Sequence, residues 1–310
     1  MVLFLSKIVA YYLTNSVSIL SDALESIVNV IASSFAFYSI YLATLPKDNN
    51  HPYGHGKVEF FSAFLEGTLI SIAGVIIIFK SGYDLLFPKP IVQLFEGAVI
   101  IGATGIINLI VGYYLINTGK KHRSITLEAD GKHLLTDSIT SAGLVIGVVL
   151  IQLTQIFWLD GVISIILGIY IIYNGYLLTR RSIGGLMDES NTDLITDIIS
   201  ILQEHRRDPW IDVHNLRAQQ YGSDLHIDCH VTMPYYYDLN QVHQEISDLD
   251  AIINLEAPHN TELFIHTDPC LPECCSYCKM KKCPVRAHPF DQEIEWTINN
   301  ATKNQKHFDQ

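Results

Sequence analysis

Long apolar segments separated by short polar connections occupy the first part of the chain. A helix that spans a bilayer needs about 20 mostly apolar residues, and only the first segment, with about a dozen, falls well short of this. The segments predict six transmembrane helices: Val2–Leu13, Val17–Ala43, Phe60–Ile78, Ala98–Ile116, Leu134–Leu153 and Phe157–Leu178. No small-residue cleavage pattern follows the first segment. We therefore expect that no signal peptide is removed and that the native chain extends further at its amino terminus.

The spacing of apolar positions changes after Arg181. Alternation of apolar and polar residues, as in Leu225–Asp228, is typical of half-buried strands, whereas a spacing of three to four residues is typical of helices. The order is helix, strand, strand, helix, strand, at Asn191–Glu204, Asp212–Gln220, Asp224–Met233, Leu239–Leu255 and Glu262–Thr267. We expect an αββαβ domain of the α+β class, ferredoxin-like or metallochaperone-like, with helices backing an antiparallel sheet.

Composition and charge support this division. The chain is 49% hydrophobic and 17% charged, whereas soluble domains carry about 25% charged residues. Up to Ile183, acidic and basic residues balance at 11 each, and the remaining 127 residues carry 21 acidic against 9 basic ones. We expect a six-helix transmembrane domain at 1–183, an αββαβ domain at 184–270 and a cysteine-containing extension at 271–310. The acidic surplus argues against nucleic acid as a partner.

Basic residues mark one side of the membrane. With six spans, three basic groups fall on the same side, and the positive-inside rule makes that side cytoplasmic. These groups are Lys47 and Lys57, then Lys120, Lys121 and Arg123, then Arg180 and Arg181. We therefore expect a multi-pass protein of the cytoplasmic (inner) membrane with both termini and the acidic domain in the cytoplasm.

Ionisable and amide side chains lie inside two of the apolar segments. Glu25 and Asn29 are four residues apart, as are His133 and Asp137, so each pair shares one helix face. Such residues are costly in a bilayer and usually face a water-filled path or a partner. Two helices packed along these faces would surround one divalent cation with nitrogen and oxygen donors. The alternative is polar contacts between helices. Asp22 lies one turn before Glu25 and is an accessory residue.

A polar loop follows the second apolar segment. Asp48, His51 and His55 fall within eight residues of this loop, which also contains proline and glycine. These side chains can converge on one cation, and an ordinary polar turn is an equally good interpretation.

The carboxyl-terminal part contains many histidines and cysteines. Single histidines are mostly not ligands, but seven in one small domain, with the sequence His-Thr-Asp among them, favour a regulatory metal site; they are His205, His214, His226, His230, His243, His259 and His266, beside Asp268. Five of the six cysteines follow within fourteen residues: Cys270, Cys274, Cys275, Cys278 and Cys283. A cytoplasmic position makes disulfides unfavourable. These thiols can bind Zn²⁺ or a soft metal, hold an iron–sulfur cluster, or remain a reduced thiol-rich tail.

Together these motifs resemble the cation diffusion facilitator family, which exports divalent metals in exchange for protons. The resemblance runs from about Leu5 to Cys270 and rests on four segments: SVSIL at Ser16–Leu20, HPYGHGK at His51–Lys57, His133 with Asp137, and HTDP at His266–Pro269. The family's six-helix domain and cytoplasmic αββαβ domain match the predicted architecture.

The resemblance implies a role for each matching residue. It assigns the transport site to Glu25, Asn29, His133 and Asp137, and a loop site to Asp48, His51 and His55. It assigns metal sites at a dimer interface in the cytoplasmic domain to His214, His230, His243, His266 and Asp268. It also implies a charge interlock between protomers from Lys57 and Asp188.

Two features depart from the family's common pattern. Zinc exporters usually carry His or Asp followed by Asp where this chain has Glu25 and Asn29, so one negative charge is missing. The cysteine-rich extension lies outside the pattern. We expect a homodimeric metal/proton antiporter that moves Zn²⁺, with Mn²⁺, Fe²⁺, Co²⁺ or Cd²⁺ as alternative cargoes and Zn²⁺ also as the regulatory ion.

Two other classes of protein remain open from the sequence. A membrane metalloenzyme needs an activated water and a general base at an open metal position. The chain contains no HExxH, GxSxG, P-loop or GxGxxG motif, so we do not expect an enzyme. A membrane-anchored metal sensor would have no use for carboxylates at positions 25 and 137.

Overall fold

The computed structural model describes most of the chain, in seven stretches: residues 2–14, 17–87, 94–122, 124–156, 158–222, 224–257 and 260–309. The chain forms two units, Met1–Met187 and Asp188–Gln310.

The first unit is helical. Its six helices are α1 (Val2–Thr14), α2 (Val17–Ala43), α3 (Val58–Leu86), α4 (Leu94–His122), α5 (Ile125–Thr154) and α6 (Leu159–Leu186). Within the described residues, five of these, α2 to α6, are long and apolar enough to cross a membrane, and α1 has 13 residues. The helix α2 has the predicted bounds, and α3 to α6 extend beyond the predicted spans because polar turns continue them. In α3, for example, Lys80 forms a two-pronged ion pair with Asp84 one turn later, at 2.8 and 2.6 Å.

Glycines let two pairs of helices pack very closely. A Cβ added to Gly67 of α3 would lie 2.8 Å from the carbonyl oxygen of Gly175 in α6, and the reverse distance is the same. Between α4 and α5, a Cβ on Gly112 would lie 2.9 Å from the carbonyl oxygen of Gly131. Small residues at such crossings let backbones approach within a membrane, where van der Waals packing drives helix association.

A buried carboxylate fixes the start of α5. Glu59, near the start of α3, accepts hydrogen bonds from the Ser124 hydroxyl at 2.8 Å and the Thr126 backbone N–H at 3.0 Å. The first N–H groups of a helix have no partner within the helix, and an anion is stabilised there. This contact therefore joins α3 to α5 at the end of α5 that leads to His133.

The second unit contains a three-stranded mixed sheet. Its elements are α7 (Thr192–Glu204), β1 (Asp212–Tyr221), β2 (Asp224–Met233), α8 (Leu239–Glu256), β3 (Asn260–Pro269) and α9 (Ile298–Ala301). The strand order is β1-β2-β3, with β1 antiparallel and β3 parallel to β2. The expectation of an antiparallel sheet is therefore wrong for β3. The chain leaves β2 through α8, and a helical crossover returns the next strand in the same direction.

The segment after β3 packs into the core of this unit. Trp296 and Ala301 are buried in the same hydrophobic cluster as Ile198 of α7 and Ile227 of β2. The backbone N–H of Asn215 in β1 donates to the carbonyl oxygen of Lys303 at 2.7 Å. Residues beyond 270, which we expected to form an extension, therefore complete the fold of the second unit.

Candidate metal sites

A histidine and a carboxylate are paired inside α5. His133 Nδ1 lies 3.6 Å from Asp137 Oδ1, and the two side chains are 3% and 0% exposed. The pair follows from sequence spacing, since residues four apart lie one above the other on a helix. An imidazole and a carboxylate held together away from solvent form half of a coordination shell for a divalent cation.

The predicted partners of this pair belong to α2. By helical periodicity, positions 25 and 29 share the helix face of Ala32 and Ala36, which are 3% and 5% exposed. The Ser33 hydroxyl lies 3.4 Å from Asp130 Oδ1, which joins α2 directly to α5. The side chains of Asp22, Glu25 and Asn29 lie outside the described residues, and their convergence with the α5 pair remains a prediction.

Two further carboxylates, which the sequence interpretation missed, lie beside the α5 pair. Glu66 of α3 is 2% exposed and interacts electrostatically with His133, Asp130 and Asp137. Asp130 precedes His133 by three residues, one turn earlier on α5. The signal for Glu66 was available, since it is an acid inside an apolar segment, a position that usually marks function. Asp130 lies before the predicted fifth span and carried no such signal.

A cavity reaches the α5 pair between α3, α5 and α6. It has a volume of about 210 Å³, and its wall includes His133, Asn174 and the basic residues Lys132 and Arg181. Arg181 lies near the carboxyl end of α6, and Lys132 lies in the amino-terminal part of α5. The cavity therefore gives His133 a partly polar route toward one end of the bundle.

The loop between α2 and α3 forms a second group of ligand atoms. Asp48 Oδ1 lies 3.1 Å from His51 Nδ1, and Asp48 Oδ2 lies 3.5 Å from His55 Nε2. One ligand atom from each residue lies within 4.8 Å of the other two. The backbone N–H of His51, which donates to Asp48, is the main cause that lowers the pKa of Asp48. The group is therefore an anionic site with two imidazoles, largely exposed to solvent.

A third group lies on the sheet. His214 of β1 is opposite His230 of β2, and Asp268 of β3 brings its Oδ2 within 3.3 Å of His214 Nε2 and 3.1 Å of His230 Nδ1. Ligand atoms of all three lie within 4.8 Å of one another. Burial lowers the pKa of His214, which favours the neutral, metal-binding form of the imidazole. Three strands thus bring together residues that are 16 to 54 positions apart in the sequence.

The structure does not bring every candidate histidine to this group. His266 stacks on His230 with ring centroids 4.6 Å apart, but its side chain is 67% exposed. His243 is exposed on α8 and belongs to no ligand group among the described residues. His205 pairs instead with Glu256 at 3.1 Å and His226 with Glu262 at 3.3 Å. His259 lies outside the described residues.

The residues of the predicted charge interlock lie in different units. Lys57 immediately precedes α3, and Asp188 opens the second unit with a positive φ of 57°. Their pairing between protomers remains a prediction.

All five clustered cysteines line one cavity of about 100 Å³ in the second unit. They are Cys270, Cys274, Cys275, Cys278 and Cys283, and none forms a disulfide.

Membrane-length helices around a buried His–carboxylate pair, with ligand-bearing groups in a loop and in an α+β domain, define a membrane-spanning cation transporter. The chain belongs to the cation efflux family, the cation diffusion facilitators. Residues 1–187 match the family's cation efflux transmembrane domain, and residues 191–270 match its cytoplasmic domain. The resemblance found in the sequence is thereby confirmed, as is the predicted order of a helical membrane domain and an α+β domain.

Curated relatives cover most of the chain. It is 35% identical over 263 residues to the uncharacterized transporter sll1263 of Synechocystis, which spans 85% of this chain and 84% of that protein. It is 29% identical over 268 residues to the cation-efflux pump FieF of Shewanella oneidensis, spanning 85% and 88% respectively. Protein p34 of Rickettsia prowazekii is 25% identical over 271 residues, spanning 87% and 88%.

Proposed function

We propose that this protein is a homodimer that exports a divalent transition metal, Zn²⁺ above all, across the cytoplasmic membrane in exchange for protons. The observation that carries the proposal is the buried pair of His133 and Asp137, 3.6 Å apart on an apolar helix. Ionisable residues buried within membrane-spanning helices usually mark an ion or proton path. The Shewanella relative is named a cation-efflux pump, which supports export as the direction.

Metal and protons compete for the same ligand atoms. In the inward-facing state, the metal enters from the cytoplasm and displaces protons from His133 and from the carboxylates of Glu25 and Asp137. Rocking of the helices then exposes the site outward, where protons return and the metal leaves. Ligands must be deprotonated to bind metal, so the two ions are thermodynamically linked. An imidazole, whose unperturbed pKa is about 6.5, is suited to this exchange.

Glu66 and Asp130 extend the ligand path toward the cytoplasm. Both interact with His133, whose cavity also reaches Arg181. When deprotonated, their carboxylates attract a cation to the site and supply negative charge that the neutral Asn29 lacks. Removal of Glu66 should therefore weaken metal entry even though it is not one of the four transport ligands.

Nitrogen and oxygen donors favour Zn²⁺, Mn²⁺, Fe²⁺ and Co²⁺ over Mg²⁺ or Ca²⁺. We place Zn²⁺ first because a site of His and carboxylates suits its four-coordinate geometry, and Mn²⁺, Fe²⁺, Co²⁺ and Cd²⁺ are the alternatives. Asn29 weakens the preference for Zn²⁺, since its amide oxygen is a neutral ligand.

The group of His214, His230 and Asp268 acts as the cytoplasmic sensor. It lies in the unit that carries the chain's whole net charge of −12, which concentrates cations around it. Metal bound there tightens the dimer and couples the cytoplasmic metal level to the transport rate. The orientation follows from the basic loops, which place both termini in the cytoplasm.

The experiment is a metal panel on purified protein in proteoliposomes with an imposed pH gradient. We expect Zn²⁺ flux that rises with the gradient and an opposite proton flux that a pH-sensitive dye detects. Metal flux that ignores the gradient would contradict the exchange, and the absence of flux for every metal tested would favour a membrane-anchored sensor.

A further inference from the structure

The clustered cysteines surround one cavity although they come from different local structures. Cys270 follows β3 directly, Cys274 and Cys275 lie on the 3₁₀ helix Pro272–Ser276, and Cys278 and Cys283 lie in the loop after it. Neither transport through α2 and α5 nor metal binding by the His/Asp group on the sheet explains why these cysteines are clustered. The family model for the cytoplasmic domain ends at residue 270, so four of the five cysteines lie beyond the matched domain.

The clustered thiols interact with one another. Charge on Cys275 and Cys283 acts on Cys270, and charge on Cys270 acts on both Cys278 and Cys274. Cys274 is the most deeply buried of them, 1% exposed, in an apolar cluster with Ile211, Tyr277 and Cys278. We call the four more exposed thiols the thiol tetrad: Cys270, Cys275, Cys278 and Cys283.

Backbone N–H groups point at three sulfurs of the tetrad. The N–H of Ala287 lies 3.5 Å from Cys275 Sγ. The Tyr235 backbone donates to Cys270 and the Met280 backbone donates to Cys278. Donors aimed at sulfur complement the negative charge of a metal-bound thiolate.

One arginine closes the loop around the tetrad. The Arg286 guanidinium donates to three carbonyl oxygens of the loop: Cys275 and Cys278, both at 2.9 Å, and Met280 at 2.7 Å. These hydrogen bonds fix the backbone between Cys275 and Met280, and they place a positive charge beside sulfurs that become negative as thiolates. An ordered backbone around the thiols favours a binding site over an unstructured thiol-rich tail.

The spacing of the tetrad fits a structural metal site. Its members are separated by four, two and four residues, within the range of about two to four that is typical of zinc ligands in one loop. Within the described chain, their sulfurs do not yet meet the mutual distance of 4.8 Å that the two His/Asp groups meet. Side-chain rotations must therefore close the tetrahedron.

We propose that the thiol tetrad binds one Zn²⁺ ion as four thiolates, in a closed site separate from the transported ion. Each thiol releases its proton as its sulfur bonds to the metal at about 2.3 Å. Four protein ligands leave no open position, so the ion is structural. The site pins the start of the carboxyl-terminal segment, whose Trp296 completes the core and whose His307 contacts the buried Asp212 beside His214.

The test measures tightly bound metal in the full-length protein after dialysis against a mild chelator. The parent carries Asp268→Asn, Asp137→Asn and Asp48→Asn, so that zinc in the three His/Asp sites is not counted. We expect about one zinc per chain that Cys275→Ser or Cys278→Ser removes. Cys274→Ala is the matched control, because it deletes the neighbouring thiol that lies outside the tetrad, and it should retain the zinc. Zinc lost equally in all three variants would overturn the assigned ligands.

A spectroscopic measurement on protein with all four tetrad cysteines intact gives a second test, which does not depend on whether the Cys→Ser variants fold. Replacing zinc by Co²⁺ should produce thiolate-to-cobalt charge-transfer absorption in the near ultraviolet and intense tetrahedral bands in the visible range. Metal removal should also make four more thiols reactive toward a thiol reagent without unfolding. Absence of the charge-transfer bands would overturn the proposal, and so would iron accompanied by acid-labile sulfide. Neither result depends on whether the protein transports metal.

Discussion

Asp268→Asn is the sharpest probe of the metal group on the sheet. Asp268 is the only carboxylate in that group, and its Oδ2 contacts both His214 and His230, at 3.3 and 3.1 Å. Asparagine has nearly the same shape and keeps an oxygen that accepts hydrogen bonds. The substitution therefore removes one negative charge from a site whose other two ligands are neutral imidazoles.

The magnitude follows from charge and exposure. The Asp268 side chain is 20% exposed, so the dielectric constant of water gives a conservative estimate of the interaction. At a zinc–oxygen distance of about 2.1 Å, a unit charge and a divalent ion attract by about 4 kcal/mol in water. This corresponds to about a thousandfold in Kd. We expect Kd to rise by about a hundredfold to a thousandfold, because the amide oxygen remains a weak ligand.

Calorimetric zinc titration of the full-length protein in detergent measures this change. Asp137→Asn and Asp48→Asn in the parent silence the other two His/Asp sites. Asp197→Asn is the matched control, since it removes the same charge from an exposed position on α7. Unchanged affinity in Asp268→Asn, or an equal loss in the control, would refute the reasoning.

Four further predictions concern other parts of the molecule. Asn29→Asp should tighten zinc binding at the transport site, measured by zinc dependence of flux; unchanged affinity would mean that Asn29 is not a ligand. Trp296→Ala should destabilise the second unit by about 3–5 kcal/mol, measured by chemical denaturation, and a loss below about 1 kcal/mol would show that the terminal segment is not part of its core. Gly175→Leu should destabilise the α3–α6 crossing by about 1–3 kcal/mol or more, measured as a lower melting temperature in detergent than that of Gly82→Leu, where an added Cβ meets open space. Burial raises the pKa of Cys229 to about 12, so this thiol should resist alkylation at pH 8, and rapid alkylation of the folded protein would contradict this. The contribution of the buried thiol to stability is present below pH about 9 and should fall as pH rises toward 12.

Local spacing was enough to predict that His133 and Asp137 form a pair on α5. They are one helical turn apart, so any helix through them brings them together. The strands were also well predicted, because alternation identifies a half-buried strand. The predicted Asp224–Met233, for instance, is β2 itself. The loop residues Asp48, His51 and His55 are close because a short turn cannot separate them.

Long-range pairing was harder to infer. The sequence contains the crossover helix α8, but the pattern of β3 is the same whether it pairs parallel or antiparallel with β2. The position of Glu66 near His133 depends on the close packing of α3 against its neighbours, which residue spacing does not encode. The prediction of a carboxyl-terminal extension rests on its position outside the family's common pattern, yet Trp296 buries its ring in the core.

Proton-driven Zn²⁺ flux through the Asp137→Asn variant tests the central claim most directly. Asp137 is 0% exposed and adjoins His133, so its substitution by Asn removes a buried negative charge from the α5 pair with little change of shape. Glu128→Gln on the same helix is the control, since it removes the same charge from a partly exposed pair with Lys132, of the kind that contributes little. We predict that Asp137→Asn abolishes metal-dependent proton flux in a folded protein while Glu128→Gln retains it. Flux at the normal rate through Asp137→Asn would contradict the account.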